Sequence, residues 1–301
     1  MKILNTSEYN EKLKIRPINV NDISDKDNDI HIEYTEHPKT RQELIDIIEK
    51  RIDKDGYECD LNDIDVSRVM DMNGLFSPHT GLYTHNVDMR KFNGKIDRWN
   101  VSNVTDMSYM FYGAESFNCD ISRWDVSSVI NMIYMFCRAK SFNQSLSSWN
   151  VGCVNDMSYM FMDAKNFNGD ISRWNVSSVL SMRGMFNYAK DFNGDISRWV
   201  VSCVRDMSYM FKSAIVFDND ISNWDVSKVS TMDNMFYDAC CFDQDLSDWD
   251  VSSVTNMYAM FKGSNFNHDI SKWNVDNVKY HDQMFSQCPL INHYEKQPAF
   301  H

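Results

Sequence analysis

The chain has 301 residues, 43% of them apolar, and a formal net charge of −13. That is enough length and apolar content for one long array or two compact domains. The acidic balance argues against nucleic acid as a partner, because phosphate binding relies on clustered Lys and Arg, and against docking on an anionic membrane.

Met1–Pro17 carries charges where the apolar stretch of a signal peptide would sit. No segment approaches the roughly 18 apolar residues of a membrane span, and the last residues hold no prenylation box. These features favour an intracellular chain without membrane insertion. Residues 1–60 follow no repeat and read as an N-terminal cap region. Residues 1–37 are polar, with a short β-like run at Ile30-His31-Ile32-Glu33-Tyr34. The spacing then predicts an amphipathic helix over 40–55. Thr40 and Glu43 make a capping box, Leu44, Ile45, Ile47, Ile48 and Ile52 form the apolar stripe, and Gly56 stops it. Such a helix suits the uncovered face of a terminal coil; the alternative is an independent small domain.

An array begins at Leu61 and extends to residue 292, with a tail at 293–301. Tryptophans fall at 99, 124, 149, 174, 199, 224 and 249, each 25 residues apart, and Trp273 follows after 24. Ile64 takes the tryptophan slot of the first unit. Ile64 and Trp99 are 35 residues apart, so ten residues are inserted within 77–90, among them Pro78, His79, Gly81, Tyr83 and His85. A fixed period of this size marks a stacked repeat.

In the unit 117–142 the apolar positions are Ile121, Trp124, Val126, Val129, Met132, Met135, Phe136, Ala139 and Phe142. The opening I-x-x-W-x-V has the spacing of a leucine-rich repeat and predicts a short parallel strand with Trp124 and Val126 inward. The spacing M-x-x-M-F-x-x-A predicts a single-sided helical or 3₁₀ return, with Ser102, Ser127, Ser177, Ser202, Ser227 and Ser252 as N-caps. The expected architecture is therefore an α/β solenoid: a leucine-rich-repeat-like, right-handed array of about nine coils of 25 residues, with an N-terminal helical cap.

Three polar columns keep the same beat. An Asn or Asp follows each phenylalanine (Asn93, Asn118, Asn143, Asn168, Asn193, Asp218, Asp243, Asn267) and can satisfy turn backbone coil after coil. Asp120, Asp170, Asp195, Asp220, Asp245 and Asp269 precede the first apolar residue of the coil. Like charges stacked ~5 Å apart repel by roughly 1 kcal/mol per pair even in water, so either each caps a turn N–H toward solvent or the column binds cations. The spacing of calcium-binding β-rolls is missing. On either side of tryptophan stand Arg98, Arg123, Arg173, Arg198 and Lys272, and Asn100, Asp125, Asn150, Asn175, Asp225, Asp250 and Asn274. In a leucine-rich-repeat frame both slots point outward. They are either a salt-bridged solvated face or a polar binding face, which makes Arg98, Arg123, Arg173, Arg198, Asn100, Asp125, Asn150, Asn175, Asp225 and Asp250 the candidate site residues.

The stretch 170–194, Asp-Ile-Ser-Arg-Trp-Asn-Val-Ser-Ser-Val…Met-Arg-Gly-Met-Phe-Asn-Tyr-Ala-Lys-Asp-Phe-Asn-Gly, resembles the repeat of BspA-like leucine-rich-repeat surface proteins and the related mycoplasma lipoprotein-type repeats. The resemblance covers roughly 61–292. It implies a curved solenoid that binds proteins or glycans, adhesins among its bacterial members, and no catalytic residues. The chain departs from secreted members in lacking a signal peptide and lipobox.

No nucleotide loop, zinc-protease motif or C-x-x-C is present. His79 and His85 share the inserted loop with Asp88 and read as loop residues rather than a metal site. The eight cysteines read as reduced thiols. Cys153 and Cys203 lie two coils apart, roughly 10 Å at strand-like spacing, beyond disulfide reach; Cys240 and Cys241 are adjacent, and Cys288 takes a small-residue core slot. The sequence thus predicts a non-enzymatic interaction module with no cofactor, binding a protein or a glycan on the exposed strand face, helped by the inserted loop. The alternative gives residues 1–60 an activity for which the array recruits targets.

Overall fold

The computed structural model describes residues 33–83 and 87–300. The chain divides at Glu33/Tyr34, and the architecture below is that of the second unit, Tyr34–His301. Most of the run Ile30–Tyr34, and His85 of the inserted loop, lie outside the described residues.

The 25-residue units stack as coils, but the α/β leucine-rich-repeat solenoid is overturned. Among the described residues there is one α-helix, α1 (Arg41–Asp55), and three short 3₁₀ turns, Met89–Lys91, Pro289–Asn292 and Tyr294–Lys296. No strand forms. Successive coils meet at isolated parallel bridges, one series running Asp71, Asp106, Asn131, Asp156, Ser181, Asp206, Thr231, Asn256, Tyr280, with a further bridge between Asp60 and Lys95.

The reason lies in the spacing of three. In a strand, residues three apart point to opposite faces. A β-turn instead brings residues i and i+3 together, so both can point inward. Each coil is a chain of such turns. Trp124 N–H donates to Ile121 O (3.1 Å), Val129 to Val126 (3.0 Å), Met135 to Met132 (3.2 Å), Ala139 to Phe136 (3.0 Å) and Phe142 to Ala139 (3.2 Å). The I-x-x-W and V-S-S-V segments are turn corners. The M-x-x-M-F-x-x-A return is not helical either, because Tyr134 and Arg138 have φ of 56° and 60°. A 3₁₀ helix needs negative φ throughout. No helix therefore follows Ser127 and its equivalents, and the N-cap role falls away.

The same two positions are left-handed in coil after coil: Tyr109, Tyr134, Tyr159, Gly184, Tyr209, Asn234, Ala259 and Gln283 at the first, and Gly113, Arg138, Asp163, Tyr188, Ser213, Asp238, Gly263 and Gln287 at the second. A non-glycine residue there costs about 1–2 kcal/mol. What the conformation achieves is direction. Alternate N–H groups leave the turn and reach the next coil: Met107 to Asn131 O (3.1 Å), Tyr109 to Ile133 O (2.9 Å), Phe111 to Met135 O (2.9 Å) and Gly113 to Cys137 O (2.7 Å). On this side every coil presents N–H to its successor and C=O to its predecessor.

The Asn/Asp column closes another corner. Asn93 Oδ1 accepts from Asn118 N–H at 2.8 Å, Asn118 from Asn143 at 2.9 Å, and the relay runs on through Asp218 and Asp243 to Asn267. Inside, one continuous core extends from Leu44 of α1 to Leu290. The tryptophans are 3–5% exposed. Trp99 and Trp124 stack with centroids 6.5 Å apart and planes 2° from parallel, and Trp174 and Trp199 at 6.1 Å. Each indole N–H reaches back one coil to a main-chain carbonyl, Trp124 to Ile96 and Trp149 to Ile121 among them. That bond removes the penalty of burying a polar N–H. Phenylalanines stack alongside, Phe111 on Phe136 at 5.4 Å and on Phe117 at 3.9 Å.

The two ends differ. At the first coil, α1 buries Leu44, Ile45, Ile48 and Ile52 in the core. Thr40 Oγ1 caps Glu43 N–H at 3.2 Å, but the Glu43 carboxylate takes Lys39 N–H rather than closing the box on Thr40. Arg51 pairs with Asp63 at 2.5 Å. Three edge carbonyls of this coil are capped by side chains: Asn73 O by Arg41 Nη1 (2.6 Å), Leu75 O by the Tyr83 hydroxyl, and Ser77 O by Thr80 Oγ1 (3.1 Å); Asp71 O has no donor among the described residues. Thr80 and Tyr83 belong to the inserted loop, which therefore closes an open edge. At the last coil, the amides of His281, Gln283, Phe285 and Gln287 find no acceptor among the described residues. There the tail caps the Asn corner, where Lys296 Nζ meets Asn267 O at 3.1 Å, accepts the Ile270 N–H on Lys296 O at 2.9 Å, and lays Phe300 on the His281 ring at 4.0 Å.

Candidate functional site

The columns beside tryptophan are outward, as the slots require. Asn100, Asp125, Asn150, Asn175, Asp225 and Asp250 are all exposed. Each side-chain oxygen is engaged locally, accepting the N–H two residues on: Ser102 to Asn100 at 3.2 Å, Ser127 to Asp125 at 3.0 Å, Gly152 to Asn150 at 3.2 Å, Ser177 to Asn175 at 3.2 Å, Ser227 to Asp225 at 3.1 Å and Ser252 to Asp250 at 3.0 Å. They are Asx turns that set the V-S-S-V corner. Arg98 approaches Asp97 at 3.9 Å. Arg123, Arg173 and Arg198 are exposed and form no ion pair among the described residues. Arg98 and Arg123 do share an open cleft of about 630 Å³ with Lys95, Asp60, Asp97 and Asp120, a mixture of both signs.

The Asp column has the same local use. Asp170, Asp195, Asp220, Asp245 and Asp269 each accept the N–H of the serine two residues on, at 2.9–3.0 Å. Those serine bonds hold their carboxyls below the usual range. The repulsion along the column is met by turn N–H dipoles.

A different face brings together the groups with the most binding chemistry. The third residue of each M-x-x-M turn is left-handed, and its side chain leaves the core. In successive coils it is Tyr109, Tyr134, Tyr159, Gly184 and Tyr209. The rings of Tyr109 and Tyr134 stack at 5.0 Å, and those of Tyr134 and Tyr159 at 4.7 Å. Burial, with the neighbouring tyrosines, pushes the Tyr134 phenol up to about 12. At Gly184 a Cβ would overlap the Tyr159 ring. The gap is filled by Arg183, whose Nε donates to the Tyr159 hydroxyl at 2.7 Å and whose guanidinium lies 4.9 Å from the Tyr209 ring centre. Burial opposes its charge, but the Tyr159 hydroxyl and Asp206, 3.4 Å away, outweigh that and raise its pKa.

Three residues further along each coil runs a parallel column: Tyr112, Cys137, Met162, Asn187, Lys212, Tyr237 and Lys262. Lys212 Nζ sits 4.6 Å from the Tyr237 ring centre and 5.5 Å from Tyr209. Cation–π contacts at such half-exposed sites contribute about 0.5–1 kcal/mol. Between the two columns, from Tyr112 to Lys212, lies a groove of about 460 Å³. Asn187 belongs to its lining and is 7% exposed, and its Oδ1 is buried without a hydrogen-bond partner. Cys137, also in the lining, is buried, and burial pushes its thiol up to about 12, so it is no nucleophile at neutral pH. These positions are not apolar core positions, so the apolar periodicity does not mark this face. The signal was there: M-S-Y-M-F recurs at 107, 157 and 207, with M-I-Y-M-F at 132.

All eight cysteines are free. Among the described residues no group of three His, Cys, Asp or Glu is arranged to hold a metal, and no helix is long and apolar enough to cross a membrane.

No curated protein matches the chain. The family profile described as mycoplasma protein of unknown function, DUF285, matches residues 50–163, 80–199 and 181–297 in three overlapping segments. These take in the whole array and the end of α1. Of the two repeat types that the sequence resembles, this supports a mycoplasma repeat family and not the leucine-rich kind, in keeping with coils built of turns. With the repeat, its turns and its columns accounted for, the chain belongs to the DUF285 family of mycoplasma-type repeat proteins.

Proposed function

We propose that the chain is a non-enzymatic protein-binding module whose contact surface is the tyrosine–cation groove between Tyr112 and Lys212. The observation that carries this reading is the lining of the groove, which brings Tyr112, Tyr134, Tyr159 and Tyr209 together with Met162 and Arg183. Tyr, Met and Arg are the residue types enriched at protein interfaces and their hot spots. The Asx residues beside tryptophan each commit Oδ1 to a turn. Arg123, Arg173 and Arg198 remain outward and define a second face against which the groove is tested. The helix of the 1–60 region buries its apolar stripe in the array's core, which supports a covering role for it rather than an activity of its own.

The test compares proteins captured from native cell extract by the wild-type chain, by Met162→Glu, and by the triple variant Arg123→Glu/Arg173→Glu/Arg198→Glu, each with an unchanged melting curve. Loss of a captured protein in the Met162 variant alone supports the groove. Loss in the arginine triple variant alone moves the contact to the turn corners beside tryptophan.

A further inference from the structure

The two columns of the groove say what kind of ligand fits it. Resting on the groove reading above, we propose that it takes an extended, acidic peptide segment of about six residues. Its carboxylate would be set at Lys212 and Arg183.

Length comes first. Neighbouring rings along the tyrosine column lie 4.7–5.0 Å apart. Four coil steps separate Tyr112 from Lys212, so the groove runs for ~20 Å, and an extended chain rising ~3.3 Å per residue spans it in about six residues. A groove that follows the stacking axis suits a linear ligand.

The rings distinguish peptide from sugar. A sugar-binding platform offers free ring faces. Here Tyr109, Tyr134 and Tyr159 lie face to face, with interplanar angles of 18° and 9°, and the guanidinium of Arg183 and the Lys212 ammonium lie over Tyr209. The faces are occupied, and what the tyrosines present outward is edges and hydroxyls. Ring edges carry the positive end of the aromatic quadrupole and match carboxylates and carbonyls.

Charge sets the polarity. The whole chain carries −13, yet no carboxylate lines this groove. Arg183 has Asp206 at 3.4 Å. Lys212 has aromatic rings and no carboxylate partner among the described residues. Asp233, the other nearby acid, is turned to its own hydrogen bonds from Thr231 Oγ1 (2.8 Å) and Asn234 Nδ2 (3.2 Å). A basic groove in an acidic surface concentrates an anionic ligand there and repels it elsewhere. At the other end Met162, Cys137 and Tyr112 offer an apolar floor. Asn187 stands between the two ends.

The experiment uses the full chain and soluble, acetylated and amidated hexapeptide pools. One position in each pool is fixed as Glu, Gln or Lys, and binding is read by fluorescence polarisation at 50 mM and 300 mM salt. The expected result is a position at which the Glu pool binds about fivefold more tightly than the Gln pool, the size of one half-exposed ion pair. The preference should shrink at high salt. Lys212→Glu should reverse it toward the Lys pool. Equal binding of Glu and Gln pools, or a preference untouched by Lys212→Glu, overturns the acidic ligand. If these pools still bind and Met162→Glu abolishes binding, the groove reading survives that failure. If no pool binds and neutral oligosaccharides do, both the peptide ligand and the protein-binding reading fall.

Discussion

The two ends of the array are built from the same repeat, yet among the described residues one is largely capped and the other is not. At the first coil the outward carbonyls of Asn73, Leu75 and Ser77 each meet a side-chain donor, and α1 covers the core. At the last coil the equivalent edge, the amides of His281, Gln283, Phe285 and Gln287, meets nothing among the described residues, and one ring covers it in part. The difference follows from which groups are exposed. A carbonyl edge is matched by any hydroxyl or guanidinium on a short loop. An N–H edge in alternating left- and right-handed turns forms concavities that want a row of acceptors, which another backbone supplies best.

Substitutions sharpen this contrast. Ile48→Asp places a charge against the capped end and should cost about 4 kcal/mol or more, whereas Phe300→Ala at the other end should cost about 1 kcal/mol. Urea midpoints check both, and equal losses would remove the asymmetry. Between the ends, Trp174→Phe leaves the Leu146 carbonyl without its 2.8 Å indole partner. It should lower stability by about 2 kcal/mol, read by calorimetry. Tyr83→Phe removes only the hydroxyl over Leu75 O. The loss of about 1 kcal/mol should appear as faster amide exchange confined to residues 61–76.

The smallest effect is in pH. The depressed carboxyls of Asp170, Asp195, Asp220, Asp245 and Asp269 stabilise the fold above their unfolded value near 4, and that contribution is lost as pH falls through their lower folded values. The column is interrupted at Lys95 and Ser145, so acid should loosen residues 170–270 before residues 92–145. Amide exchange at pH 3 against pH 6 measures this, and uniform loosening would count against it.

Much of this was legible in the chain. The tryptophan beat places a buried ladder, the Asn column relays main-chain bonds as its position implies, and Thr40 and Gly56 bracket α1. The misreading was of local conformation. Ile121 and Trp124 are three apart and both buried, a parity that a strand does not allow and a turn demands. The left-handed residues stayed hidden because most are not glycine, and tyrosine is the commonest of them. Hydrogen bonds to the next coil hold them there, and these become visible only when coils are stacked. The inserted loop was easy to find by counting. Its capping role was not, since it acts on main-chain carbonyls, which every residue carries alike. The tyrosine groove was missed for the opposite reason: its residues repeat plainly, at positions that a search for core does not weigh.

The relay of N–H to C=O from coil to coil also has a mechanical meaning. Pulled from its two termini, the array is loaded along the bonds that join coils, so it should open like a zip rather than rupture as a block. Each released coil of 25 residues would lengthen the chain by about 80 Å. The unfinished last coil would yield first, and the rupture steps would march toward α1. A protein of this design behaves under tension as an extensible tether whose length is set by how many coils remain closed.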